Sequence, residues 1–294
     1  MKLVECVPNF SEGRDKKTVD AIFEAIGSVD GIKLLDSETD RDHNRTVISF
    51  VGKPEDAVEA AFRGCKKASE LIDLNEHEGE HPRMGATDVI PFIPVSDLTM
   101  KDCVAAAEKL GERLWNELGI PVYLYEEAAK KRKRKNLANV RRGEFEWLKE
   151  NIDRRPPDFG DAIHPTAGAT AVGAREFLIA FNVNLGTDDL SIAKKIARAA
   201  RHSSGGLRYV KALGFEIKER GIVQVSMNLT NYKKTPIFRV FELIRSEADR
   251  YGVSVIGSEL IGLAPMDALI DVADYYLKLE DLKKDQIFER RIWE

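Results

Sequence analysis

The chain of 294 residues predicts an α+β fold made of two β-α-β-β-α-β units. Three observations carry this. Apolar residues switch between a spacing of two and a spacing of three to four along the chain, the signatures of strands and of helices. The switches come in the same six-element order twice. That order is the ferredoxin-like split motif, in which helices cover one face of a sheet.

In the first half, residues 3–7 read as a strand. Val19, Ile22, Phe23 and Ile26 then recur at i, i+3, i+4 and i+7, the apolar stripe of a helix. Residues 32–36 and 46–51 read as two more strands. Pro54 sits at a favourable first helical position and opens a helix to about Ile72. Residues 89–95 close the unit as a strand. In the second half, residues 177–184 form a strand, and Thr187 caps a helix with Ile192, Ile196 and Ala199 on one side. Residues 207–217 and 222–229 are strands joined by a turn at 218–221. Thr235 and Pro236 start a helix carrying Val240, Phe241, Ile244 and Ala248, and residues 253–261 are the last strand.

Between the two sets lie a helix over about 99–118, a strand at 122–124, a charged helical stretch and a polar loop. That loop, residues 153–160, holds Pro156, Pro157 and Gly160 and is the best linker candidate. The expected subdomains are 1–176 and 177–294. Two such sheets can pack together and leave a ligand groove between them.

Composition narrows the class. Hydrophobic residues make up 43%, enough for a sizeable core, and charged residues reach 32%, above the roughly 25% usual for soluble domains. A net charge of −4 argues against a nucleic-acid protein. No window approaches the roughly 18 apolar residues of a membrane span, and no signal peptide opens the chain. Cys6, Cys65 and Cys103 are few and scattered, which suits a reducing compartment and a cytoplasmic location.

Three polar segments are candidates for chemistry. Residues 77–88 join a helix to a strand and hold His77, His81, Arg83 and the carboxylates Glu78, Glu80 and Asp88. A histidine beside carboxylates can act as a general base near neutral pH. The pattern H-x-x-E-H from His77 to His81 matches zinc peptidases, but Gly79 and Pro82 oppose the continuous helix that such a zinc site requires. No metal is therefore expected. Residues 36–45, between two strands, read on spacing as a solvated hairpin connection, with acids and Arg45 available to a substrate. Residues 160–175 are rich in glycine and small residues, which lets a flat ligand or another backbone approach closely. They lack the G-x-G-x-x-G spacing of a dinucleotide site. Lys130 to Lys135 is an unbroken basic run that reads as a solvated helix face, with a polyanion as its functional alternative.

The motifs LVECVPNFSEG (3–13), NRTV (44–47), GEHPRMGA (79–86), PFIPV (91–95), PVYLY (121–125), PDFG (157–160) and AFNVNL (180–185) resemble glutamate formimidoyltransferases, including the transferase part of formimidoyltransferase-cyclodeaminase. The resemblance runs in order over nearly the whole chain. It implies two ferredoxin-like subdomains with folate in the groove between them, and tetrahydrofolate as co-substrate with an L-glutamate derivative as its partner. The family's catalytic histidine falls on His81. Its folate-contacting stretch falls on Gly160, Asp161, Ala162, Ile163, His164, Pro165, Thr166, Ala167 and Gly168, where residues 162–167 depart from the vertebrate form. Its acidic position falls on Asp40 or Glu38.

Amidine transfer requires the attacking amine to lose a proton, which His81 would accept and return to the departing nitrogen. Asp40 or Glu38 would orient His81, and Arg45 or Arg83 would hold a substrate carboxylate. The rival readings are formyl transfer from 5-formyltetrahydrofolate, a folate binder without catalysis, and an RNA-binding protein using the basic run. A homodimer is left open.

Overall fold

In the computed structural model, which describes residues 1–80 and 82–293, the chain divides into two compact units, Met1–Glu176 and Phe177–Glu294. The strands of the first are β1 (Leu3–Cys6), β2 (Asn9–Phe10), β3 (Lys33–Asp40), β4 (Arg45–Gly52), β5 (Thr87–Ser96), β6 (Val122–Glu126) and β7 (Thr170–Ala174). They form one sheet in the order β3-β4-β1/β2-β5-β7-β6. Its β3-to-β5 part is the antiparallel split motif, and β7 and β6 extend it in parallel.

On one face lie α1 (Lys16–Gly27), α2 (Pro54–Leu71) and α3 (Met100–Leu118). Each start is written locally. Asp15 accepts the Lys17 N–H, Pro54 opens α2, and Thr99 and Asp102 form a reciprocal capping box. Alternation decides which strand residues meet the helices. Thr46, Ile48 and Phe50 are buried on the helix side, while Arg45, Val47 and Ser49 point the other way. Val4, Cys6, Ile48, Phe50, Ile90 and Phe92 pack with Ile22, Ile26 and Ala61 in the main core. Full burial of such a side chain contributes about 1.5–3 kcal/mol.

The opposite face of the β5-β7-β6 half has its own small core. Met84, Val89, Tyr123, Tyr125 and Ala171 pack with Val140 of α4 (Leu137–Arg141) and Leu148 of α5 (Glu144–Asn151).

The second unit holds β8 (Ile179–Leu185), α6 (Leu190–Ala200), β9 (Val210–Ile217), β10 (Ile222–Leu229), α7 (Ile237–Arg250) and β11 (Val255–Ile261). Its sheet is antiparallel throughout, in the order β11-β8-β10-β9, and completes a second split motif. Val183, Val225 and Val223 pack against Ile196, Val240 and Ile244. The helices α8 (Met266–Leu277) and α9 (Phe288–Trp293) follow.

Four readings of the sequence change. β3 runs on to Asp40, so most of residues 36–45 is paired strand and only 41–44 is connection. Residues 170–174, read as part of a small-residue segment open to the close approach of a ligand or another backbone, are the strand β7, which lies between β5 and β6. Residues 153–160 are not a linker, since the Asp158 N–H bonds the Val122 carbonyl inside the first unit. The basic run is only in part a solvated face. Residues 132–135 form a short 3-10 turn that buries Arg134, whose guanidinium pairs with buried Asp158 and the Pro156 carbonyl. Asp158 also accepts the Leu124 N–H at 2.8 Å.

Because both partners are desolvated, Asp158→Ala strands a buried cation and an edge amide. It should lower stability by about 3–5 kcal/mol in urea unfolding, whereas exposed Lys133→Ala should stay within about 0.5 kcal/mol.

Candidate active site

The three polar segments meet at one end of the first unit. The 77–88 loop is tied to the 160–168 segment by backbone bonds, Ala86 N–H to the Ala167 carbonyl at 2.9 Å and Ala169 N–H to the Met84 carbonyl at 2.8 Å. Gly168 makes this approach possible. Its φ is +70°, and a Cβ there would lie 2.3 Å from the Met84 carbonyl oxygen. The same loop reaches the β3–β4 connection. The Asn44 side chain donates to the Glu78 carbonyl at 2.9 Å, and the Glu80 N–H to the Asp42 carbonyl at 3.4 Å.

Beneath the loop, Asp88 at the start of β5 accepts the Met84 N–H at 2.9 Å and pairs with Arg141 of α4. Ser11 Oγ donates to the Gly85 carbonyl at 2.7 Å. Residues 77–80, which carry the first four positions of the H-x-x-E-H pattern, are not helical.

Arg83 is buried and saturated. Its two Nη atoms grip Glu146 at 2.9 and 2.7 Å, Nη1 reaches Glu144 at 3.4 Å, and Nη2 donates to the His77 carbonyl at 3.2 Å. Its Nε donates to His77 Nδ1 at 3.1 Å. That bond fixes the His77 tautomer: Nδ1 is an acceptor, so Nε2 carries the proton and donates to the Asn44 carbonyl at 3.1 Å. Burial pushes the His77 pKa below its ordinary value, the Asn44 bond opposes this, and the Arg83 charge adds to the lowering.

The remaining sequence candidates fall as follows. Asp40 and Arg45 are cross-strand partners on β3 and β4, on the face away from the helices, and Glu38 is two residues along on the same face, exposed. Asp40 is engaged by His43, whose ring Nδ1 lies 2.7 Å from Oδ2 and whose N–H bonds Oδ1 at 2.9 Å. Partial burial pushes the Asp40 carboxyl up, but these bonds outweigh it and hold it below the usual range. Arg45 has a buried Nε without a hydrogen-bond partner among the described residues. Burial and the nearby Arg141 cation lower its pKa, against the attraction of Asp40, Glu38 and Asp88.

In the 160–168 segment, Asp161, Ala162 and Pro165 are exposed, Gly160, Ile163, His164 and Thr166 half-buried, and Ala167 and Gly168 buried. His164 Nδ1 accepts the Ala167 N–H at 2.9 Å, and burial lowers its pKa. His81 lies outside the described residues. Sequence reasoning gave no role to Arg141, Glu144 or Glu146, which anchor the loop. The signal was faint: one acid, Asp88, ending the loop, and scattered charges sixty residues later.

Two family models match, the N-terminal subdomain of the formiminotransferase domain over residues 3–175 and the formiminotransferase domain over residues 180–291. A glutamate formimidoyltransferase of Thermoplasma acidophilum is 55% identical over 99% of this chain and 98% of its own length. One from Streptococcus pyogenes is 52% identical over 99% of both chains. The formimidoyltransferase-cyclodeaminase of Dictyostelium discoideum is 46% identical over 96% of this chain, which spans 54% of that longer protein.

The depressed His77 has a measurable consequence. Its folded pKa lies below the unfolded value of about 6.5, so its neutral form contributes stability that is full above that value and lost as pH falls through the folded pKa. In urea unfolding, His77→Gln should be less stable than wild type near pH 7.5 and lose less stability on acidification from there. A parallel pH dependence in both proteins would contradict the lowered pKa of His77.

Proposed function

The chain belongs to the formiminotransferase family, and from that membership we propose that it moves a formimidoyl group between N-formimidoyl-L-glutamate and tetrahydrofolate. The observation that carries the reading to particular residues is the convergence of the 36–45, 77–88 and 160–168 segments on one end of the first sheet.

His81 is our choice of general base, because the other histidine of its loop has both ring nitrogens committed. In the direction toward tetrahydrofolate, N5 of the folate attacks the amidine carbon and gives its proton to His81. The tetrahedral adduct then collapses, the carbon–nitrogen bond to glutamate breaks, and His81 returns the proton to the departing amine. The proton count closes, and no oxidant or reductant is required.

Arg45 rather than Arg83 is the better partner for a substrate carboxylate. The fork of Arg83 is filled by Glu146, while Arg45 keeps a buried donor unpaired. Asp40 is bound to His43, so its help to His81 is indirect, through the β3–β4 connection, and Glu38, exposed on that face, makes no ion pair or hydrogen bond through its side chain among the described residues. The 160–168 segment is assigned to folate, with the exposed Asp161, Ala162 and Pro165 the positions a ligand reaches first. Burial of the three free cysteines fits a reducing cytoplasm as the place of reaction. No helix among the described residues is long and apolar enough to cross a membrane.

Purified protein with tetrahydrofolate should form 5-formimidoyltetrahydrofolate from N-formimidoyl-L-glutamate and turn over more slowly with N-formyl-L-glutamate. His81→Ala should lower kcat by about 10²–10⁴-fold and leave tetrahydrofolate binding nearly intact. Turnover with the formyl donor alone would change the reaction and keep the base; full activity in the variant would remove His81 from it.

A further inference from the structure

At the other end of the first unit is a cavity of about 490 Å³. Its floor is apolar, made by Pro54 and Val58 of α2, Leu98, and Ala105 and Ala106 of α3. Lys2, Lys53 and Lys109 also line it. None of the three forms an ion pair among the described residues. Two carboxylates, Glu55 and Asp102, also line it, but Asp102 is turned to Thr99, accepting its N–H at 2.7 Å and its hydroxyl at 2.6 Å. Three cations therefore share the cavity with two carboxylates, and the charge of Lys2 acts on Asp102, which leaves an excess of one positive charge beside the apolar residues.

The cavity is remote from the chemistry just described. Arg45 begins β4 and Gly52 ends it, beside Lys53, so the strand separates the two places by roughly 23 Å at 3.3 Å per residue. All of its residues belong to the first unit.

The cations are lysines, with no arginine among them. An ammonium binds phosphate oxygens as a compact point charge, without the planar geometry that a guanidinium fork imposes. Like ammonium groups set around one space repel each other, and a dianion relieves that repulsion. An apolar floor under a charged wall suits a ligand with a small apolar body and a charged end.

We propose that this cavity is a second ligand site, which takes a small phosphate monoester with its phosphate among Lys2, Lys53 and Lys109 and its apolar body on Val58, Leu98, Ala105 and Ala106. The inference does not rest on the proposed reaction, and its test needs no turnover.

The test is calorimetric titration of the full chain with two probes, inorganic phosphate and phenyl phosphate. Wild type should bind both saturably, phenyl phosphate more tightly because its ring covers the floor. Lys53→Ala/Lys109→Ala should weaken both by about tenfold, with an unchanged thermal unfolding curve. Lys131→Ala/Lys133→Ala, a double change in the exposed basic run, should leave both isotherms as they were, and saturating tetrahydrofolate should displace neither probe. Absence of saturable binding would overturn the proposal. So would equal weakening in the two double variants, which would mean diffuse attraction to lysine. Displacement by tetrahydrofolate would place the probes at the reaction site instead.

Discussion

The bidentate bond from buried Arg83 to the more exposed Glu146 is the constraint on which the proposed site depends. It joins the 77–88 loop to α5, a helix that is itself seated on the sheet through Phe145 and Leu148. A cation this desolvated is tolerable only with its partners in place, because an unpaired buried charge costs several kcal/mol. Through its Nε the same guanidinium sets the His77 tautomer. His77 in turn holds the Asn44 carbonyl, so one side chain fixes the loop, its histidine and the β3–β4 connection together.

A second layer of charge lies beneath the first. Asp88 is almost wholly buried and anchors both the Met84 amide and Arg141. Arg45 stands near that pair, with Asp40 and Glu38 on its other side. The arrangement fixes two guanidinium groups close enough to disfavour each other and leaves one buried N–H of Arg45 unused. An arriving carboxylate would supply the missing acceptor and offset the repulsion. The loop anchors thus do the folding work, and in the proposed reaction Arg45 is the guanidinium assigned to a substrate carboxylate.

Most of the fold was legible because each unit alternates cleanly between faces. β4 buries every second residue, α1 carries its stripe where the sequence places it, and α2 opens at Pro54 as read. β7 was hidden for a physical reason. All five of its residues are buried, which erases alternation, and Gly173 is there because a Cβ would lie 2.6 Å from the Tyr125 ring. β3 was cut short because Glu38 and Asp40 face away from the helices and look like a polar loop. Arg134 was submerged in a run whose other members are mostly exposed, and only its pairing with Asp158 separates it from them. At the proposed site His77, Arg45 and Arg83 stood out by residue type, but which of them is committed to other protein groups did not. Which guanidinium is saturated depends on Glu144 and Glu146, some sixty positions away, and no local pattern reports that distance.

The central claim, that His81 is the titrating base of the transfer, is tested most directly by the pH dependence of kcat with N-formimidoyl-L-glutamate and tetrahydrofolate. In wild type kcat should fall on the acid side with an apparent pKa in the usual histidine range of about 6–7. The residual rate of His81→Ala should show no such limb, while His77→Gln should keep it. A limb that persists in His81→Ala, or one that disappears in His77→Gln, would contradict the account.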